Sequence, residues 1–201
     1  MQNGQPGILT AAMTHENLPN MKLRLRSLPT LAITLALSSS TLSFAADETP
    51  ATGTPAVAMK DEAFIKKTAQ GGMTEVQLGK LAEQKATRAD VKEFGALIAF
   101  DHGKANSELM ALATKKSVVF SEKLDATHAG TVDKLSKLEG GQFDRAYIDD
   151  MVKDHKMDVA EFQEAAKATH DAELKTFIEK TLPILKTHLA KIEAIAAAKS
   201  K

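Results

Sequence analysis

The chain has 201 residues, with 26 basic and 26 acidic side chains and neither cysteine nor tryptophan. This balance of charge argues against nucleic-acid binding, and an aromatic content of 4% leaves few rings on which bases or sugars could stack. The lack of cysteine excludes disulfides, thiolate metal sites and a lipid-anchored cysteine. Stability must therefore come from a hydrophobic core, or from a metal held by nitrogen and oxygen ligands.

The N-terminal region has the pattern of a secretory signal peptide. From Met21 the chain carries basic residues, then an apolar run over 28–37, then the small residues Ser43 and Ala45. This order predicts cleavage after Ala45. Residues 1–45 are therefore interpreted as an N-terminal extension and signal peptide, with Met21 as the start of translation and an unusually long n-region as the alternative. The apolar run is about ten residues, short of the ~20 that a membrane-spanning helix needs.

The predicted mature chain consists of a linker and one domain. Without residues 1–45 it has 23 basic and 25 acidic residues, a net charge near −2. Residues 46–59 are rich in Ala, Thr, Pro and Gly without periodicity, which predicts a flexible linker. Residues 60–199 have the length of a single domain, and none of its segments is long and uncharged enough to span a membrane.

Helical periodicity recurs along this domain. A first helix is predicted over about 61–86, with an interruption at Gly71–Gly72. A second helix is expected to open with a capping box formed by Thr87 and Asp90 and to end near Lys115.

Three further helices are expected after a connection over 117–124. The first of them is short and is expected to end at Gly140–Gly141. A tight turn over 169–171, with a capping aspartate, separates the last two, and Pro183 is expected to kink the last one. The predicted bounds are 125–138 for the short helix, 142–168 for the fourth, and the residues after 171 for the fifth.

An internal repeat relates the two halves of the domain. A shift of 83 positions places residues 63–65 on 146–148 and residues 92–94 on 175–177. Chance similarity between Ala-rich and Lys-rich helices is the alternative explanation. Two similar helical hairpins joined by a long connection over 116–141 predict an all-α, ferritin-like four-helix bundle with a short crossover helix.

Six segments of the chain carry a resemblance to a known family: 64–82, 91–95, 101–106, 143–147, 155–159 and 181–189. Through them the sequence resembles the DUF4142 family over about residues 60–193. The resemblance implies a ferritin-like helical domain exported by Gram-negative bacteria, located in the periplasm or associated with the outer membrane. It implies no particular reaction.

Three histidines fall on apolar helix faces: His102, His155 and His188. With a rise of ~1.5 Å per residue from the hairpin turns, they lie ~23, ~23 and ~27 Å along helices of ~40 Å. All three are therefore expected near the middle of the bundle. Gly72, which the repeat aligns with His155, is expected to leave free space at this level.

Three imidazoles at one level predict a site for a first-row transition metal such as Zn, Cu or Fe. Glu75 and its repeat counterpart Asp158 are the candidate carboxylate ligands. The alternative is that each histidine is a buried core residue held by a hydrogen bond to a neighbour such as Thr68 or Asp154. The lack of a Glu-x-x-His motif argues against a di-iron centre or ferroxidase.

Two functions from different classes remain open. One is an exported metal-binding bundle, and the other is a metal-free structural or stress-related module that binds an envelope protein. An enzyme is less expected, because no acid/base pair or activated nucleophile can be named from these residues.

Overall fold

The computed structural model describes residues 55–198. The predicted signal peptide and most of the predicted linker lie outside these residues. Within them the chain is helical and contains no strand, which confirms the predicted all-α class. The elements are α1 (Pro55–Lys85), α2 (Ala89–Lys115), α3 (Ala126–Ser136), α4 (Gly140–Ala168) and α5 (Ala172–Ala197).

The four long helices form a bundle of two hairpins. α1 packs along α2, and α4 packs along α5; the hairpins meet where α2 contacts α5 and α1 contacts α4. α3 lies in the connection between the hairpins and packs on α1 and α4. This is the predicted ferritin-like four-helix bundle with a short crossover helix. None of the helices within 55–198 is long and apolar enough to cross a membrane.

The first helix differs from its prediction at two places. α1 begins at Pro55, within the predicted linker, since proline is well suited to a first helical turn. It is also continuous through Gly71–Gly72, so the predicted interruption is wrong. A Cβ at Gly72 would lie 2.2 Å from Asn106 Oδ1, so the side chain of Asn106 occupies the space that was expected to be free.

The predicted capping box at Thr87 is also wrong. The N-cap of α2 is Arg88, which makes no side-chain cap bond. Thr87 instead bonds the buried carboxylate of Asp144 on α4, with its backbone N–H donating to Oδ1 at 3.0 Å and its hydroxyl contacting Oδ2. The backbone N–H of Arg88 donates to the same carboxylate at 3.2 Å. Asp144 therefore ties the turn of the first hairpin to the second.

The other helix ends are closer to expectation. Asp125 and Asp171 are N-caps, each accepting a backbone hydrogen bond at 2.9 Å. Gly140 adopts a φ of +57° and begins α4 rather than ending α3. α5 continues as one helix through Pro183.

A buried polar layer divides the hydrophobic core into two clusters. One cluster includes Phe94, Phe143 and Tyr147, and the other includes Phe162 and Phe177. On each long helix one buried ionisable residue lies between members of the two clusters. These four residues, named here the polar layer, are Glu75 on α1, His102 on α2, His155 on α4 and His188 on α5.

The contact between α1 and α2 can be tested at Gly95. A Cβ there would lie 2.6 Å from Ala82 Cβ and 2.7 Å from Gly79 O, so Gly95→Ala should lower the free energy of unfolding by about 1–3 kcal/mol. Gly103→Ala on the same helix is the control, because nothing lies within 4 Å of its Cβ position. The control should gain roughly 0.5–1 kcal/mol. Urea unfolding measures both, and equal stabilities would contradict this packing.

Candidate metal centre

The three histidines form a nearly equilateral triangle of rings. Their ring centroids are 5.6 Å apart for His102 and His155, 5.5 Å for His102 and His188, and 5.4 Å for His155 and His188. One ring nitrogen from each histidine lies within 4.8 Å of one from each of the others. Because α2, α4 and α5 each contribute one ring, the triangle exists only in the folded bundle.

One nitrogen of each ring contacts an oxygen of the protein. His155 Nδ1 donates to the backbone oxygen of Met151 at 3.1 Å. His188 Nε2 donates to Asp101 Oδ2 at 2.8 Å, and His102 Nδ1 lies 2.8 Å from Glu75 Oε2. Since a carbonyl oxygen can only accept, the neutral His155 ring carries its proton on Nδ1 and a lone pair on Nε2.

The second nitrogen of each ring is buried without a partner. His102 Nε2, His155 Nε2 and His188 Nδ1 have no hydrogen-bond partner among the residues that the structure describes. Buried polar atoms are normally hydrogen-bonded, so three such nitrogens in one layer are unusual. They are suited to act as ligands, because metal-binding histidines typically have their other nitrogen held by a carboxylate or a carbonyl.

Burial keeps these imidazoles neutral. Burial, together with the charged forms of His102 and His188, lowers the pKa of His155 to about 3. Burial also lowers the pKa values of His102 and His188. At neutral pH all three rings are therefore in the unprotonated form that binds metals.

Glu75 is the carboxylate of the polar layer, and its side chain is 1% exposed. Its Oε1 lies 3.4 Å from His155 Nδ1, but that nitrogen donates to Met151, and Oε1 has no hydrogen-bond partner within 55–198. Burial raises the pKa of Glu75, and the charges of Asp154 and Asp150 raise it further. A cation close to this carboxyl group would therefore stabilise its ionised form.

The surroundings of the triangle differ on its two sides. The ring of Phe94, a member of the first hydrophobic cluster, lies 6.2 Å from His155 and 6.3 Å from His188 between centroids. Elsewhere the layer borders a cavity of about 90 Å³ lined by Glu75 and His102. A cavity of this volume has room for several waters or a hydrated ion.

Comparison with known proteins identifies the family. The family model of DUF4142, a domain of unknown function, matches residues 46–195. The chain belongs to the DUF4142 family. No curated protein matches it.

The DUF4142 chain is similar in fold to several solved structures. A DUF305 fragment from Deinococcus radiodurans superposes with a TM-score of 0.60 and 16% identity, covering 71% of this chain and 95% of that chain. CopM in its Cu(I)-bound form gives a TM-score of 0.57 and 18% identity, covering 67% and 94% respectively. A DUF305 protein from Streptomyces coelicolor, named as a candidate secreted protein, gives 0.57 and 13%, covering 67% and 89%. At these identities the likeness shows the fold alone.

The structure of the DUF4142 chain separates the five predicted site residues into two overlapping groups. It brings His102, His155 and His188 together, with Glu75 in contact with two of them. Asp158 groups instead with Glu75 and Asp154, and one carboxylate oxygen of each of these three lies within 4.8 Å of the others. The sequence did not predict Asp154 as a member, although it lies one turn from Asp158 on the same face of α4.

Two further groups that support the histidines are not evident from the sequence. Asp101 holds His188 from the adjacent helix, and the backbone of Met151 holds His155 from one turn away. Asp101 precedes His102 in the sequence, but a contact with a residue 87 positions away leaves no local pattern. The side chain of Met151 is buried in the first hydrophobic cluster.

The depressed pKa of His155 predicts a specific pH dependence of stability. In the unfolded chain, residue His155 is protonated below its ordinary pKa of about 6.5. In the folded chain it is protonated only near pH 3, so stability falls as the pH decreases between these values. Wild-type stability relative to His155→Gln should therefore fall by about 2 kcal/mol between about pH 6.5 and about pH 4.5. Urea unfolding with a chelator present measures this difference. A difference that does not change with pH would contradict the burial of a neutral His155.

Proposed function

We propose that this DUF4142 protein is an exported metal-binding helical bundle. His102, His155 and His188 hold one first-row transition metal ion, Zn, Cu or Fe. The observation that carries the proposal is the contrast between the two nitrogens of each ring. One nitrogen contacts a protein oxygen, and the other is buried without a partner among the described residues. The donor set fits such an ion, because neutral imidazole nitrogens suit these metals.

The metal-free alternative accounts for only half of this arrangement. Hydrogen bonds to Asp101 and the Met151 carbonyl would hold two rings in a purely structural core. They do not explain why the opposite nitrogens converge without partners, at a desolvation cost of about 1–3 kcal/mol for each unsatisfied group. A bound metal ion would satisfy all three nitrogens at once.

Glu75 is the protein group proposed as a fourth ligand. Its Oε1 is buried and has no hydrogen-bond partner among residues 55–198, while Oε2 lies against His102. Three histidines and one carboxylate oxygen would complete a four-coordinate site of the kind that zinc adopts. The second carboxylate predicted from the sequence, Asp158, is proposed to act beside this site rather than within it.

Two further observations support a metal and an exported location. CopM, which has a similar fold, is described in Cu(I)-bound, Cu(II)-bound and Ag-bound forms. The signal-peptide pattern over residues 21–45 supports a periplasmic location for the mature chain. An outer-membrane association or an envelope protein partner is proposed within that compartment.

Metal addition should raise the melting temperature of the mature protein at neutral pH. A ligand that binds only the folded state stabilises it by about 2.7 kcal/mol at a hundredfold excess over Kd. We expect this gain with at least one of Zn(II), Cu(II) and Fe(II), and we expect His188→Ala to abolish it. Differential scanning calorimetry of metal-free protein, with and without each ion, measures the effect.

The matched control is His170→Ala, which removes an exposed histidine from the turn before α5. This variant should keep the full metal response. A melting temperature that none of the three ions raises would show that the histidines are polar core residues of a metal-free module.

A further inference from the structure

A second group of metal-ligating side chains adjoins the polar layer. Glu75 on α1 and Asp154 and Asp158 on α4 place one carboxylate oxygen each within 4.8 Å of one another. These three residues are named here the acidic cluster. Glu75 and Asp158 are 83 positions apart, so they occupy equivalent places in the two hairpins and face each other between α1 and α4.

No basic side chain within 55–198 forms an ion pair with Asp154 or Asp158. Lys67 lines the same cavity, but it pairs with Glu161. Burial raises the pKa of every member of the acidic cluster. The charge of Asp154 raises the pKa of Glu75 further, and the charges of Glu75 and Asp154 do the same for Asp158. The cluster therefore carries an unfavourable concentration of negative charge that a divalent cation would relieve.

An acidic cluster alone does not make a site, and Glu75 supplies the second observation. Its side chain is 1% exposed, and its Oε1 is buried without a hydrogen-bond partner among the described residues. Glu75, Asp154 and Asp158 line one cavity of about 90 Å³. The Glu75 carboxyl group, with one oxygen left without a partner, is thus part of the wall of a space large enough for an ion and the waters that complete its coordination.

We propose that the acidic cluster binds a second divalent cation, of the hard, oxygen-preferring class to which Mn²⁺ belongs, next to the histidine site. Carboxylate oxygens and water suit Mg²⁺, Ca²⁺ and Mn²⁺, whereas three imidazoles suit Zn, Cu or Fe. This inference rests on the proposed function only in placing the second cation next to a metal held by the histidines. The two sites meet at Glu75, which contacts His102 and also belongs to the acidic cluster.

The test is a titration of mature protein with Mn²⁺. Electron paramagnetic resonance monitors binding as a loss of the free-ion signal. Wild type should bind about one equivalent, and Asp154→Asn/Asp158→Asn should bind at least about tenfold more weakly. Asp149→Asn/Glu164→Gln, which removes two exposed charges from the same helix, should bind as wild type does. His188→Ala should retain Mn²⁺ binding, because it leaves all three carboxylates in place.

Two further measurements separate this inference from the proposed function. Without metal, Asp154→Asn/Asp158→Asn should melt no lower than wild type, since it removes like-charge repulsion and keeps the side-chain shape. It should also keep the stabilisation by Zn(II), Cu(II) or Fe(II). Failure of wild type to bind Mn²⁺, or unchanged binding in the double variant, would overturn the second site. Mn²⁺ binding without any response to the other three ions would overturn the histidine site alone.

Discussion

The burial of four polar side chains in the centre of the bundle is the constraint on which the rest of the structure depends. Each long helix contributes one member of the polar layer, and hydrophobic clusters lie on both sides of it. Three imidazole nitrogens and Glu75 Oε1 are left without partners within 55–198, at about 1–3 kcal/mol each. Together these costs approach the whole stability of a typical domain, about 5–15 kcal/mol. A metal ion bound by these groups would offset such costs, because binding to the folded state adds to the free energy of folding.

The remaining contacts of the fold keep the four helices in register so that the layer can form. Asp144 on α4 binds the turn between α1 and α2, which fixes the relative height of the two hairpins. Gly79 and Gly95 allow α1 and α2 to approach closely on one side of the layer, and Gly72 accommodates Asn106 on the other. Because the histidines belong to three different helices, a shift of one helix by a single turn, about 5.4 Å, would take its ring out of the triangle.

The sequence predicted those features that depend on periodicity. The five helices, the crossover connection and the inward placement of the histidines all follow from residues three or four positions apart. The common height of His102, His155 and His188 follows from their distances to the hairpin turns, because helical rise is nearly constant. The repeat also indicated that Glu75 and Asp158 occupy corresponding places.

The features that the sequence did not predict are set by residues distant in the chain. Thr87 has the local pattern of a cap, in which its backbone N–H would bond the side chain of Asp90. That N–H instead donates to Asp144, which is 57 positions away in the chain. The helix continues through Gly71–Gly72 because α2 packs against it, whereas propensity alone favours a break. Which nitrogen of each histidine is held likewise depends on neighbours such as Asp101 that no local pattern identifies.

The metal content of the protein as it occurs in the cell tests the central claim most directly. Wild type and a His102→Ala/His155→Ala/His188→Ala variant would be purified without an affinity tag from periplasmic extract, and their metals measured by mass spectrometry. Circular dichroism would establish that both remain helical. The histidine site predicts about one equivalent of Zn, Cu or Fe in wild type and almost none in the triple variant. Equal metal content in the two proteins would contradict it.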